Sequence, residues 1–423
     1  MKFNEVLSRE TPKIIVAHPG TQHSYQTAFG IQEAGMLQRY MTSFYYKKLG
    51  FVARFISFLP ARFMEKIKRE FLRRRKEELD DSLIQTFPIP ELIYLLSTKA
   101  KILKNWSNKI LYWRNKIFDE KIARMVLASR PDAVICYDSC SIQTFKACKN
   151  IGSIAILDQS IGHIKTGVNI LHEEALLHPE FADTLATNTP DWLIEQCTLE
   201  ALAADKIMVA SEYVKESLIK NGVSPLRIII NPYGADITRF YPALKRDENI
   251  FRILFVGAIG QRKGIKYLLE AFKRLRLPNA ELVLVGGIVG SGIGLEPYRG
   301  LFRHVQNVPH HEVHTVFQSA DIFVYPSLHE GSALAIYEAL ASGLPVVTTP
   351  NAGSVVRDGE EGFIVPIRDI DTLMAKILLL YQNEDLRVKM SQQARKRAES
   401  FTWQTYRLRL AQIVQGFVED KEI

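Results

Sequence analysis

The chain has 423 residues, too many for one ordinary core, so two domains are the expectation. Apolar residues make up 47% and charged residues 24%, the balance of a soluble globular protein, and no apolar run is long enough to span a bilayer as a helix. The formal charge of +8 is uneven: Phe44 to Phe118 holds 17 Lys/Arg against 7 Asp/Glu, which points to a local anionic partner rather than to nucleic acid.

The opening "MKFNEVLSRETPK" lacks the apolar stretch of a secretory signal. Cys136, Cys140, Cys148 and Cys197 follow no metal spacing and read as reduced thiols, which suits a cytoplasmic protein. "KIIVAH" reads as a buried strand, "PGTQH" as a turn, "SYQTAFGIQEAG" as a helix closed by Gly35, and "LQRYMTSFYY" as the next strand. This is a strand–loop–helix–strand unit of the doubly wound kind. From about 49 to 118 the pattern becomes a basic helical insertion: "RFMEKIKREFLRRRKEEL", "PELIYLLSTKAKIL" and "NKILYWRNKIFDEKIARMVLAS".

The α/β alternation then returns. Strands "PDAVICYD", "SIAILDQS", "KIMVA" and Arg227–Ile230 alternate with helices "CSIQTFKACKNIG", "TPDWLIEQCTLEALAA" and "SEYVKESLIKNG". "NPYGADITRFYPALKRDEN" carries turn residues without periodicity and reads as a linker. Beyond it, strands "RILFVG", "ELVLVGG", "DIFVYP", "LPVVTT" and "GFIVP" alternate with helices beginning near Lys263, Leu295, Glu312, Gly331 and Asp371. Near-continuous apolar strands argue for parallel sheets covered on both faces. The expected organisation is 1–235 as a first Rossmann-like, acceptor-binding domain, 236–403 as a second, donor-binding one, and 404–423 as a helix that could cross back to the first. The two domains would face each other across a cleft at the carboxyl ends of their strands.

Two stretches carry chemistry. In "FVGAIGQRKGIKYLLEAF", Gly257, Gly260 and Gly264 allow a close backbone approach, and Arg262 and Lys263 stand at a helix mouth that already favours an anion. Two cations there suit a diphosphate; a basic surface loop is the plainer alternative. No Ser/Thr follows the lysine as in a Walker loop, and no acidic residue ends the next strand as nicotinamide binding would need. In "YPSLHEGSALAIYEALASGLPVV", Glu330 comes before a small-residue helix and Glu338 lies within it. Carboxylates accept bonds from paired hydroxyls, as on a ribose or hexose, and Gly331, Ser332, Ala333 and Ala335 would let a ligand lie against backbone. The plainer alternative is a solvated glutamate pair. "RDID" sets Asp369 and Asp371 in a DxD pattern, better explained as a helix cap than as a metal site.

The pair Glu330–x7–Glu338 in this setting resembles the hallmark of family 4 retaining glycosyltransferases of the GT-B fold. The resemblance extends to "ADKIMVASEYVKESLIKNG", "NPYGADITRFYP", "FVGAIGQRKGIKYLLEAF" and "GSVVRDGEEGFIVP", covers Ala204 to about Trp403, and leaves out the insertion. It implies that Arg262 and Lys263 hold a nucleotide diphosphate, Glu338 the ribose hydroxyls and Glu330 the transferred sugar. Ser332, Ala333 and Leu334 would offer backbone N–H groups, and Gly20 and Thr21 would form a loop closing on the phosphates. The family often has arginine after the strand glycine; here Ala258 stands there. It also uses a histidine of the first domain near the reacting sugar. His163, which follows a predicted strand in "LDQSIGH", is the first candidate and His23 the second; His18 and His172 are weaker. Glu173 and Glu174 either contact the acceptor or form a solvated helix face.

The expected activity is retaining, metal-independent transfer from a nucleotide-diphosphate sugar, with no cofactor besides that substrate, to a glycan or lipid-linked acceptor. The setting would be cell-surface or exported polysaccharide or glycolipid synthesis. A nucleotide-sugar epimerase and a non-catalytic membrane-bound scaffold are the alternatives. Residues 61–76 hold eight Lys/Arg and two Glu beside Phe63, Met64, Ile67, Phe71 and Leu72, the pattern of a helix lying on an anionic membrane, here the inner face of the plasma membrane.

Overall fold

The computed structural model describes residues 11–20, 23–45, 77–99, 106–243, 250–306, 308–309 and 312–421. Thr21 and the basic stretch 61–76 lie outside them. The chain forms two compact units. One comprises Met1–Asp158, Leu199–Ile207 and Arg407–Ile423; the other comprises Gln159–Thr198 and Met208–Tyr406.

The first sheet is built from β1 (Ile14–Ala17), β2 (Leu37–Thr42), β3 (Ile84–Thr86), β4 (Ala133–Tyr137), β5 (Ile154–Gln159), β6 (Lys206–Val209) and β7 (Ile228–Ile230), in the order β3-β2-β1-β4-β5-β6-β7. β1 and β4 are buried at every residue, as parallel strands covered on both faces must be, and they pair from Ile14↔Ala133 to Ala17↔Cys136. Around this sheet lie α1 (Ser24–Glu33), α2 (Pro88–Lys99), α3 (Ser107–Ser129) and α4 (Ile142–Ile151). α3 buries Asn115, Phe118, Ile122 and Val126 on one stripe, spaced for a single helix face.

The insertion is not wholly helical. Its described part holds β3, which extends the sheet by pairing Tyr40↔Ile84 to Thr42↔Thr86. At three residues this edge strand is too short for its period-2 pattern to stand out from the helical pattern around it.

The second unit contains α5 (Ile164–Leu177) and α7 (Glu212–Ile219); α6 (Asp191–Ala203) lies between them in sequence. Its sheet is β8 (Phe251–Val256), β9 (Ala280–Val285), β10 (Phe302–Val305), β11 (Ile322–Tyr325), β12 (Val346–Thr348) and β13 (Gly362–Ile364), in the order β10-β9-β8-β11-β12-β13 and parallel throughout. α8 (Ile265–Leu275) buries Ile265, Leu268, Leu269 and Phe272, a regular amphipathic stripe. α9 (Val313–Gln318), α10 (Leu334–Ala341), α11 (Ile370–Gln382) and α12 (Glu384–Ser400) follow. α13 (Trp403–Glu419) begins in this unit, but from Arg407 it belongs to the first, where Arg407 Nε donates to Glu33 Oε2 at 2.5 Å and leaves no room for a side chain at Gly30.

Two further expectations change. The helix expected near Leu295 is a short 3-10 segment, Ile293–Tyr298, containing Pro297. β10 was not anticipated, because "FRHV" alternates too briefly to register. The strand order of the second sheet reverses between β8 and β11, and the loops leaving their carboxyl ends therefore emerge side by side. Open α/β sheets bind ligands at such a reversal.

Candidate active site

The loop after β8 runs through Gly257, whose φ of +154° suits glycine, into one 3-10 turn at Gln261–Lys263. Gly264 closes that turn at φ +71°, and a side chain there would collide with the Pro326 carbonyl of the neighbouring loop. Only glycine meets both conditions. The loops are then tied together. Leu328 N–H and Ser327 Oγ donate to Arg262 O at 2.9 and 3.1 Å.

This clamp brings Arg262, Lys263 and Glu330 to one point. Arg262 Nη1 donates to Glu330 Oε1 at 2.7 Å and to the His329 carbonyl at 2.9 Å, and Lys263 Nζ donates to the same Glu330 oxygen. Burial lowers the Lys263 pKa to about 8, against the attraction of Glu330 and with help from Arg262. Two cations therefore face one carboxylate, a local excess of positive charge already held in place. Lys263 also stands 5.2 Å from the centre of the Tyr325 ring, which stacks on Phe255 at 5.3 Å.

Glu338 sits in α10, half-buried, and no described residue donates a hydrogen bond to its carboxylate. Loss of water pushes its pKa up to about 7, with Arg239 opposing. The helix begins at Leu334 rather than Gly331. The preceding residues are committed elsewhere: Ala333 N–H donates to Ala352 O at 3.1 Å, Ser332 Oγ donates to Gly353 O at 2.6 Å, and Gly331 packs against the Ser160 backbone. Of Ser332, Ala333 and Leu334, the Ala333 N–H is thus already used. The glycine at 331 serves chain packing, because no side chain fits there.

His163 is buried at the N-terminus of α5. Its Nδ1 accepts from Lys165 N–H at 3.2 Å, which leaves the ring proton on Nε2, and Nε2 has no hydrogen-bond partner among the described residues. Burial lowers its pKa to about 4, so it is neutral at pH 7. Glu174 is no solvated helix face. It is fully buried, and its carboxylate accepts from Gln261 Nε2 at 2.6 Å, Tyr267 Oη at 2.7 Å and Arg368 Nε at 2.8 Å. Gln261 precedes Arg262, so this buried charge anchors the cationic turn. Glu173 is exposed and accepts from Arg368 Nη1 at 2.8 Å.

His329 was missed although it adjoins Glu330. It is buried, its pKa lowered to about 4 by burial, and its Nδ1 shares a hydrogen bond with Tyr213 Oη at 2.6 Å. Its ring leaves no room for side chains at Gly162 and Gly167. Gln261, Tyr267 and Arg368 gave no sequence signal, since polar residues far apart in the chain show no spacing. Asp369 caps α11 by accepting from Thr372 N–H at 2.8 Å, and Asp371 is exposed beside Arg274.

In the first unit, Gly20 N–H donates to His18 Nδ1 at 3.0 Å, and burial lowers the His18 pKa to about 3. His23 Nε2 lies 2.9 Å from Asp158 Oδ2, with both side chains buried. His18, Gly20 and His23 follow β1 and Asp158 lies in β5, near the β1/β4 reversal of that sheet. The chain is similar in fold to the Anabaena protein HepE, solved in complex with UDP-glucose: TM-score 0.60 and 12% identity, over 96% of this chain and 100% of that one. That likeness shows two Rossmann-like domains of the GT-B kind.

Among curated proteins, the D-inositol 3-phosphate glycosyltransferase of Corynebacterium kroppenstedtii is 28% identical over 246 residues, 51% of this chain and 54% of that protein. The UDP-Gal:alpha-D-GlcNAc-diphosphoundecaprenol alpha-1,3-galactosyltransferase of Escherichia coli is 28% identical over 204 residues, 43% of this chain and 52% of that protein. The chain thus spans about half the length of these relatives. Residues 236–397, which hold Arg262, Lys263, Glu330 and Glu338, match the family model described as glycosyl transferases group 1.

Proposed function

We propose that the protein transfers a sugar from a nucleotide-diphosphate donor to an acceptor hydroxyl, with retention at the anomeric carbon and without a metal. The observation that carries this is the convergence of Arg262 and Lys263 on Glu330, with Glu338, to which no described residue donates a hydrogen bond, in the helix that follows. Arg262 and Lys263 receive the diphosphate and stabilise it as it leaves. Glu330 turns its carboxylate to the sugar hydroxyls, and Glu338 accepts from the ribose hydroxyls. A leaving phosphate oxygen takes the acceptor proton on the same face of the sugar. His163 offers its Nε2–H beside the reacting sugar. The test is turnover of UDP-, GDP- and ADP-sugars with EDTA present, product anomers being read by NMR. The expected result is a product of retained configuration. Inversion, or activity that needs Mg²⁺ or Mn²⁺ to return, would refute it.

Donor affinity should depend on pH. Glu338 binds ribose best when ionised, so affinity rises as pH climbs through about 7. Lys263 binds phosphate only when protonated, so affinity falls as pH passes about 8. Calorimetric Kd against pH should give tightest binding between these values. Glu338→Gln should abolish the acid limb, keep the alkaline one, and weaken binding at pH 7.5 roughly 10- to 150-fold, the worth of about 1.5–3 kcal/mol in charge-assisted hydrogen bonds. An unchanged acid limb in the variant would remove Glu338 from the donor.

The acceptor is proposed to be lipid-linked, in keeping with the diphosphoundecaprenol acceptor named for the Escherichia coli relative. The basic stretch 61–76 would then hold the protein at an anionic surface. No helix among the described residues is long and apolar enough to cross a membrane. Co-sedimentation with phosphatidylserine vesicles should fall with salt, and should drop when Arg73, Arg74, Arg75 and Lys76 become Gln. Equal recovery of both proteins in the supernatant would refute surface binding.

A further inference from the structure

A cavity of about 360 Å³ opens beside the Glu330 loop, between α5, α7 and the turn after β12. That is the small end of the roughly 300–1,000 Å³ typical of small-molecule sites. We propose that it is a saccharide subsite that holds a hydroxyl-rich part of the acceptor.

Three observations set the ligand class. The wall mixes an aromatic and aliphatic side (Tyr213, Ile170, Ile364) with polar groups (Glu216, Lys220, Asn351), as a pyranose ring with apolar C–H faces and a hydroxyl rim requires. Some of those polar groups are unspent. The Glu216 carboxylate and the Lys220 ammonium pair with no described residue. Asn351 Nδ2 is used on Leu328 O at 2.8 Å, while no described residue donates to its Oδ1. Two acceptors and one donor thus stand ready for hydroxyls. Finally, the formal charges balance: Glu216 and Lys220 both line the wall, and Glu212 at the rim is matched by Lys215 at 3.5 Å. A wall without net positive charge suits an uncharged sugar and gives a phosphate no advantage.

The same wall is bonded to the loop that carries Glu330, on both sides of it. Ser211 Oγ donates to Gly331 O at 2.5 Å, and Tyr213 Oη is hydrogen-bonded to His329 Nδ1 at 2.6 Å. Gly353 completes the seam at φ +65°, where a side chain would collide with Gly331 O. A sugar in the cavity therefore lies against residues that fix the two neighbours of Glu330.

Calling the bound sugar an acceptor rests on the transfer reading; the binding itself does not. The probe is a panel of methyl α- and β-glycosides of glucose, galactose, mannose and N-acetylglucosamine, observed by saturation-transfer NMR on the full chain. Thermal shift with the nucleotide sugars runs in parallel. Wild type should bind at least one glycoside. Glu216→Lys should weaken that binding about tenfold or more. Ser354→Trp, which fills the cavity, should abolish it while the response to nucleotide sugar stays. Absence of any glycoside signal in wild type, or equal signal in both variants, overturns the subsite. Glycoside binding that is lost in the variants, in a protein that ignores every nucleotide sugar, supports the subsite and refutes the transfer reading.

Discussion

Lys263→Met is expected to lower kcat by about 10²–10³-fold, with a smaller effect on donor affinity. The change keeps the length and the apolar stem over Tyr325, and removes only the charge. Charge on the diphosphate grows as the glycosidic bond breaks, so a cation held beside it contributes more to the transition state than to the ground state. Arg262 remains, which is why donor binding survives in part. Glu330 would keep one of its two cationic partners, Arg262. Steady-state kinetics with a saturating acceptor decides the matter. A fall confined to KM, or a kcat within about threefold of wild type, would take Lys263 out of the chemical step.

Glu174→Ala is expected to cost about 3–5 kcal/mol of stability, read as a lower unfolding midpoint of the second unit. The variant would remove the shared acceptor of Arg368 Nε, Gln261 Nε2 and Tyr267 Oη at once, leaving Arg368 its bonds to Glu173 and the Ile170 carbonyl and Tyr267 its contact with His178. Glu174→Gln should be milder, since Gln keeps an oxygen for Gln261 or Tyr267 while losing the charge that matches Arg368. Because Gln261 leads into Arg262 and Lys263, both variants should also lower turnover through a loosened cationic turn. Denaturant titration and kcat on the same samples test both points. An alanine variant as stable as wild type would show that the network carries no net stabilisation. Stability loss with turnover unchanged would limit Glu174 to packing.

Several features were legible because they are local. Near-continuous apolar runs marked β1, β4, β8, β9, β11 and β12, and the alternation with helices indicated two parallel-sheet domains. The residues that converge on Glu330 were also legible, because each sits within a few positions of a strand end and a glycine. Short edge elements were not. β3 and β10 hold three and four residues, and their pairing depends on a neighbouring strand that the sequence does not point to. The start of α10 was placed at Gly331 from composition, while the structure delays it to Leu334, because residues 331–333 bond to the segments around Ser160, Ala352 and Gly353.

By itself the sequence determined the elements, the two-sheet architecture and the identity of the charged groups, since periodicity, turn residues and helix mouths act over a few residues. Only the tertiary structure decided which charges meet. Arg262 and Glu330 are 68 positions apart, and Glu174 and Arg368 are 194 apart, yet each pair bonds within 2.8 Å. The first pair meets because β8 and β11 are neighbours at the sheet's reversal, the second because α5 packs against the turn before α11. Burial made the further distinction that no spacing encodes: it leaves Glu174 satisfied by three donors, and Glu338 without one among the described residues and raised to about 7.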